Sequence, residues 1–369
     1  VGNRVLTRVQ NWILHSALSE FHSGYRLFSV SALARIPFER NTNYYHFDTE
    51  IIIQLLRAGL RIKELPIPTY YGDEISYVNV LKYGINVLKA SLHARMQDFG
   101  LLYDRKFDVA TPPKGGPQYQ SRLGFESTYT HALEQTPRGS SILDIGCASG
   151  HLLRALKAKG CVITVVDTFP ISDTTLSDRF IQCDLDQGDL AVDTGAYDRV
   201  LLVDVLGRLS SPEVCVERLR KSWRGPKDPT IIATTGNAAF FITRFMLLFG
   251  YLNYGTRGIL DLANRRLFTS STFRKLFEQA GYRVDEIRGI PAPFPLAFGN
   301  TWLARALLAL NKLLIRLSKS LFSYQFLLVA RPAPSLDWML ERTYQASEDR
   351  IARILAESQP GGARALLRM

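Results

Sequence analysis

The chain is short of acids and of sulfur. Its 369 residues hold only four cysteines and four methionines, and 34 Asp and Glu stand against 45 Lys and Arg. Cys147, Cys161, Cys183 and Cys215 form no CxxC pair and no Cys/His cluster at zinc spacing, which argues against a disulfide framework or a structural metal site. A reducing cytoplasm is the expected compartment. No uninterrupted apolar run reaches the about 18 residues a spanning helix needs, and no charged-then-apolar leader opens the chain. It opens instead in what reads as mid-helix, as a truncated start would. No repeat of solenoid period is present. The deficit of acids leaves a formal net charge of +11, which favours anionic partners such as phosphate esters, acidic lipid or nucleic acid. An Asn-Pro-Pro-Tyr-like motif and a basic stripe interleaved with aromatics are both lacking, so nucleic acid is the least expected of these.

What is present divides in two. Pro112, Pro113, Gly115, Gly116 and Pro117 interrupt residues 109–118, denying helix and ladder hydrogen bonds and adding backbone freedom. The expected organisation is a first domain over 1–108, a linker over 109–118, a second domain over 119–331 and a helical or disordered tail over 332–369. Within the second domain, β-rich runs at Ser141 to Ile145, Val162 to Val166, Phe180 to Cys183, Asp198 to Val203 and Thr230 to Thr234 alternate with segments of helical spacing. That alternation predicts a doubly wound, Rossmann-like α/β fold. Two later runs, Tyr282 to Ile287 and Gln325 to Ala330, bring its mostly parallel sheet to seven strands as a terminal antiparallel pair.

The first strand runs Ser141-Ile142-Leu143-Asp144-Ile145 into the turn Gly146-Cys147-Ala148-Ser149-Gly150, and a helical pattern follows. Glycines at 146 and 150 let backbone approach a ligand closely, although an ordinary tight turn would use the same residues. The neighbours favour the ligand. Asp167 ends the second strand, Asp184 follows the third and Asp204 ends the fourth, and in a doubly wound sheet such acids converge on one crevice. A carboxylate in the position of Asp167 can accept hydrogen bonds from both hydroxyls of a ribose.

These residues resemble the class I S-adenosylmethionine-dependent methyltransferase family, whose motif reads as an apolar strand, Asp-x-Gly-x-Gly-x-Gly and then an acid ending the second strand. The resemblance covers most of 119–331 and extends to Asn237, to Gly258-Ile259-Leu260-Asp261 and to Arg266-Leu267-Phe268-Thr269. It implies a cofactor, S-adenosyl-L-methionine, held by Asp144, Gly146, Cys147, Gly150, Asp167, Asp184 and Asp204. Ala148 replaces the usual middle glycine, Gly207-Arg208 stands where relatives often have Glu-His, and Asn264 where they often have His. A sulfonium donor is already electrophilic, so positioning supplies much of the rate and an enzyme nucleophile is not needed. For a hydroxyl acceptor, Asp204 and His131 are the candidate catalytic bases, with His151 behind them. The insertion Phe240 to Tyr254 reads either as a substrate cap or as a buried helix.

Trp302 to Phe322 places Arg305, Lys312, Arg316 and Lys319 at helical spacing, with Leu303, Leu307, Leu310, Leu314, Leu317 and Leu321 largely on the other face. Such a helix either lies on an anionic membrane surface or packs on the sheet with its cations in water. Before residue 109, polar clusters sit between apolar runs. Arg26 could pair a phosphate, with Glu20, Asp48 and Glu50 orienting a base, a metal or that arginine, or all four could tie loops together. The strings Ser-Glu-Phe-His-Ser-Gly-Tyr-Arg (19–26), Phe-Asp-Thr-Glu (47–50) and Pro-Ile-Pro-Thr-Tyr-Tyr-Gly-Asp-Glu (66–74) closely resemble the C-terminal portion of family 2 glycosyltransferases that act on polyprenyl phosphate. That family's nucleotide-binding half would precede Val1, so this chain alone is expected not to bind a sugar nucleotide. Together the resemblances imply a methyltransferase for a glycan, lipid-linked sugar or small molecule, peripheral to the inner face of a membrane if the basic helix docks there. Two alternatives stand beside it: a glycosyltransferase with an accessory methyltransferase, and a non-catalytic docking module.

Overall fold

The computed structural model describes residues 2–66, 79–98, 103–109, 125–147, 150–171, 173–188, 190, 192–224, 227–252, 254–255, 258–295, 301–334 and 336–358. Its helices in chain order are α1 (Gly2–Leu14), α2 (Val30–Leu33), α3 (Phe47–Arg57), α4 (Val80–Asp98), α5 (Thr128–Glu134), α6 (His151–Ala158), α7 (Pro212–Lys221), α8 (Phe241–Leu248), α9 (Ser270–Gln279), α10 (Trp302–Leu317), α11 (Lys319–Phe322) and α12 (Leu336–Ser358). The strands are β1 (Ser141–Ile145), β2 (Val162–Asp167), β3 (Arg179–Gln182), β4 (Arg199–Leu202), β5 (Thr230–Gly236), β6 (Tyr282–Ile290) and β7 (Gln325–Pro332). The chain separates into two compact units. The first comprises Val1–Ser127, Gly236–Thr269 and Gly289–Gln325, and the second Thr128–Thr235, Ser270–Arg288 and Phe326–Met369. Most of the expected linker, 110–118, and the motif residue Ala148 lie outside the described residues.

The seven strands form one sheet in the order β3-β2-β1-β4-β5-β7-β6. Pairing is parallel from β3 through β5. The last two strands close it in opposite senses. Tyr324 N–H donates to Ile290 O at 2.9 Å and Ala333 N–H to Gly281 O at 3.0 Å, so β7 starts beside the end of β6 and ends beside its start. Parallel strands are covered on both faces, which explains runs such as Ile142, Leu143 and Ile145 in β1 and Ile231, Ile232 and Ala233 in β5, all buried. Each βα turn then returns the chain across one face: α6 buries Leu152, Leu153 and Leu156, and α9 buries Phe273, Leu276 and Phe277, one stripe each. Because β2 and β3 lie to one side of β1 while β4 and β5 lie to the other, the sheet has its switch point between β1 and β4. In doubly wound sheets that point, at the carboxyl ends of the strands, is where ligands bind.

In the first unit α3 buries Ile51, Ile52, Ile53 and Leu55 and also Thr49, Glu50 and Gln54. These polar groups are bonded in pairs. Gln54 and Asn41 exchange side-chain hydrogen bonds at 2.7 and 3.0 Å, and Gln10 of α1 donates to Thr49 at 3.4 Å and Ser91 at 3.3 Å. Farther along the chain, Asn237 is fully buried just past β5. Its amide donates to Ser320 O at 2.8 Å and Ser323 O at 2.7 Å and accepts from Ala239 N–H at 3.0 Å. Asn237 thus holds the entry to α8 against the α11 turn. Replacing Asn237 by Ala removes the side-chain partner of two carbonyls and one amide that are buried or half-buried, which costs about 3 kcal/mol. Urea denaturation of Asn237→Ala should show the midpoint falling with the slope unchanged.

Candidate functional site

All the acids assigned to the cofactor site belong to the second unit, and the register brings them to one end of its sheet. Asp144 pairs with Val165 of β2 and Leu201 of β4, one residue before β1 ends. Asp167 is the last residue of β2 and pairs with Gln182, the last of β3. Asp184 lies two residues beyond β3 and Asp204 two beyond β4.

The centre of this arrangement is Gly146. Its φ of +76° is one that side chains resist, and a Cβ built on it would stand 2.3 Å from Val205 Cγ2. Its N–H donates to Val166 O at 2.8 Å, extending the β1–β2 ladder into the turn. Backbone therefore runs against a buried side chain of the neighbouring strand end, with no side chain of its own. Gly150, at φ +66°, caps the start of α6, where a Cβ would meet Leu176 Cδ1 at 3.0 Å. A glycine-bounded turn ahead of a helix start suits a polar or anionic ligand group approaching main-chain amides.

Asp144 is 4% exposed. Burial pushes its carboxyl up to about 7, partly offset by a hydrogen bond from the Cys147 thiol, and the Asp167 charge raises it further. Burial followed by the Asp144 charge pushes the Cys147 thiol up as well, so at neutral pH it is a donor rather than a thiolate nucleophile. Asp167 and Asp184 are the more accessible pair. Asp167 Oδ1 accepts from Phe169 N–H at 3.1 Å, and the Asp184 side chain is exposed, its Oδ1 accepting from Asp186 N–H at 3.0 Å.

Asp204 carries backbone strain. At φ +56° it is one of two non-glycine residues with positive φ among those described. Thr234, fully buried in β5, holds it there: Asp204 N–H donates to Thr234 Oγ1 at 2.9 Å, and that hydroxyl donates back to Asp204 Oδ1 at 2.9 Å. The strain turns Asp204 out of the strand path and places Val205 against Gly146. His131, the other expected base, is buried in α5 with Nδ1 3.1 Å from Glu134 Oε2 and 3.3 Å from Arg288 Nη1. An imidazole between a carboxylate and a guanidinium is engaged on that nitrogen. Thr234 and Val205 escape a reading of the sequence, although the polar pair Thr234-Thr235 ending an apolar run is the visible trace of the first.

In the first unit the polar clusters tie loops together. Arg26 Nη1 donates to Asp48 O at 2.9 Å and Nη2 to Phe21 O at 2.5 Å, with Asp48 Oδ1 3.5 Å away, so its guanidinium is occupied by the protein. Glu20 Oε1 accepts from His22 N–H at 2.8 Å, and Glu50, 1% exposed, takes Lys106 Nζ and Thr42 N–H at 2.7 Å each. His22 Nδ1 lies 2.8 Å from Tyr83 Oη; burial lowers the His22 imidazole and, with the Asp48 charge, pushes Tyr83 up to about 12. A hollow lined by Asn43, Tyr44, Tyr45, Phe47 and Asp48 opens beside this cluster.

Residues 119–287 match the model of a family described as a methyltransferase domain. That segment contains β1 to β5, Gly146, Gly150 and the acids Asp144, Asp167, Asp184 and Asp204. The match supports an enzyme of the methyltransferase type over that segment. Among curated proteins no relative matches the chain. Solved structures similar to it include a Burkholderia thailandensis 1,6-didemethyltoxoflavin-N1-methyltransferase with bound S-adenosylhomocysteine (16% identity, 57% of this chain and 80% of that one, TM-score 0.37). A Mesorhizobium loti S-adenosylmethionine-dependent methyltransferase is also similar (13% identity, 56% and 98%, TM-score 0.37). Likenesses of this size assign neither substrate nor partner.

The buried Asp144 sets a pH signature. Its folded pKa of about 7 stands above its ordinary 3.8, so the folded state binds the proton more tightly than the unfolded one. The stability this contributes is complete below 3.8 and is lost as pH rises to about 7, by a few kcal/mol at most. Thermal unfolding of the cofactor-free protein should decline over that interval, and Asp144→Asn should flatten the decline.

Proposed function

We propose that the chain transfers a methyl group from S-adenosylmethionine to an oxygen or nitrogen of a glycan, lipid-linked sugar or small-molecule acceptor. The observation that carries this reading is the side-chain-free approach of Gly146 to Val205 at the sheet's switch point, with Asp144, Asp167, Asp184 and Asp204 at the same end of the sheet. The cradle fits the cofactor. Gly146 and the start of α6 at Gly150 offer main-chain amides to its amino-acid end, Asp167 offers a carboxylate to its ribose, and the segment at Asp184 offers an edge to its base. When bound, the cofactor supplies an electrophilic methyl on a sulfonium that departs as a neutral thioether.

The chain's own residues then position and deprotonate. Asp204, fixed by Thr234 and turned out of its strand, is the group we assign to hold or accept the acceptor's proton. His131 is the weaker choice, because Glu134 and Arg288 already engage it. The glycan or lipid-linked class of acceptor is drawn from the family 2 glycosyltransferase resemblance of residues 2–108, of whose third motif string only Pro66 lies among the described residues. Asp144, Gly146, Cys147, Gly150, Asp167, Asp184 and Asp204 remain our assignment for the cofactor site.

Isothermal titration with S-adenosylhomocysteine tests the reading. The intact chain should bind on the order of micromolar, about −8 kcal/mol. Asp167→Ala should weaken this by about tenfold or more through loss of a charge-assisted hydrogen-bonded pair. Failure of the folded chain to bind would overturn the proposal. Given binding, transfer of labelled methyl into polyprenyl-phosphate sugars, set beside free sugars, reads the acceptor class.

A further inference from the structure

The first unit carries helices whose apolar residues are not packed. In α10 the buried line is Ala304, Asn311 and Ile315, spaced seven and four apart, with Leu308 and Leu314 half-buried beside it. Leu303, Leu310, Leu313 and Leu317 recur at the spacing of one helix face, turned away from that line, and with Trp302 they are between 42% and 76% exposed. The leucines, expected largely on the face opposite the cations, are not all on one line. They divide between a narrow inner line and an outer stripe in water.

A second exposed apolar group lies in the same unit. Phe245, Leu248, Phe249, Tyr251 and Leu252, on α8 and the turn after it, are between 45% and 78% exposed. The α8 helix is joined to α11 by the Phe241 and Phe322 rings at 5.8 Å and by Arg244 Nη2 donating to Ser320 Oγ at 3.3 Å, and α11 follows α10 after Ser318. The two groups thus belong to one set of connected helices. That set carries Arg244, Arg305, Lys312, Arg316 and Lys319 and no Asp or Glu. Lys312 is paired with Glu126, while Arg305 and Arg316 recur on a face of α10 distinct from the exposed leucines.

We propose that α8 with its following turn, together with α10, docks on an anionic phospholipid bilayer. Exposed aromatic and leucine side chains would enter the headgroup boundary, and the arginines would meet lipid phosphates. No helix among the described residues is long and apolar enough to cross a membrane, so the contact is one of lying on the surface. A second copy of the chain is a poor occupant. A two-fold interface sets a patch against itself, which would bring arginine to arginine with no acid on these helices to pair them. This inference is independent of the methyltransferase reading and would survive its failure.

Flotation of the whole chain with vesicles tests it, using phosphatidylcholine alone and phosphatidylcholine mixed with phosphatidylglycerol. Binding to the anionic vesicles should be about tenfold or more stronger than to neutral ones and should weaken with salt. Leu310→Ser with Leu317→Ser, and separately Phe245→Ser with Phe249→Ser, should each lower anionic-vesicle binding at every salt concentration. Arg305→Gln with Arg316→Gln should lower it and reduce the salt dependence. All six residues are exposed, so melting temperatures and S-adenosylhomocysteine binding should match the parent chain, which separates loss of docking from loss of fold or cofactor site. Absence of binding to anionic vesicles, or binding unchanged in both apolar pairs, would overturn the proposal. Self-association in sedimentation velocity that those pairs abolish would overturn it too, giving the face to a second copy.

Discussion

Everything in the second unit's site depends on one close approach, the main chain at Gly146 against the side chain of Val205. With a Cβ-to-Cγ2 separation of 2.3 Å and φ at +76°, only glycine satisfies both the dihedral and the space. From that contact the rest follows in order. Val205 can reach Gly146 because Asp204 leaves its strand in a left-handed conformation, and Asp204 stays there because Thr234 of the next strand holds its N–H and its carboxylate. Three neighbouring strands are thus locked at their carboxyl ends, with no side chain at Gly146 between them. A site of this kind is set by main chain and shape, which suits a reaction whose donor is already activated.

The electrostatics complement the shape. Asp144 lies behind the turn, desolvated and hydrogen-bonded by the Cys147 thiol, while Asp167 and Asp184 stand toward solvent. One acid shapes the cradle from within and two face outward. Position on the strands decides this difference, since Asp144 is inside β1 and the others end their strands or follow them.

The parallel strands were legible in the sequence because burial on both faces leaves apolar runs that no exposed element needs. Each run met its strand within a few residues, β6 extending furthest beyond its own. The converging acids were legible for the same reason, following strands whose order the alternation implied. Less accessible were effects that depend on which residue meets which. The Thr234 bond to Asp204 joins residues 30 apart, and the Asn237 amide reaches Ser320 and Ser323 more than 80 residues on. Helical spacing also cannot say which of two apolar lines a helix buries, and in α10 the leucine-rich line lost to Ala304, Asn311 and Ile315. Polar clusters before residue 109 suit ligand contacts and ties equally by residue type, and what separates the two is position: Arg26 donates to two main-chain carbonyls.

The most direct test of the account is the affinity of Gly146→Ala for S-adenosylhomocysteine, measured by titration beside its thermal unfolding. Since one methyl strains the dihedral and overlaps a buried valine, the variant should keep its fold with a stability loss of about 1 to 3 kcal/mol. It should lose affinity by about a hundredfold, as misplacement of a preorganised turn would cause. A folded Gly146→Ala protein that binds as tightly as the parent chain would contradict the account, because the close approach would then have no part in holding the cofactor.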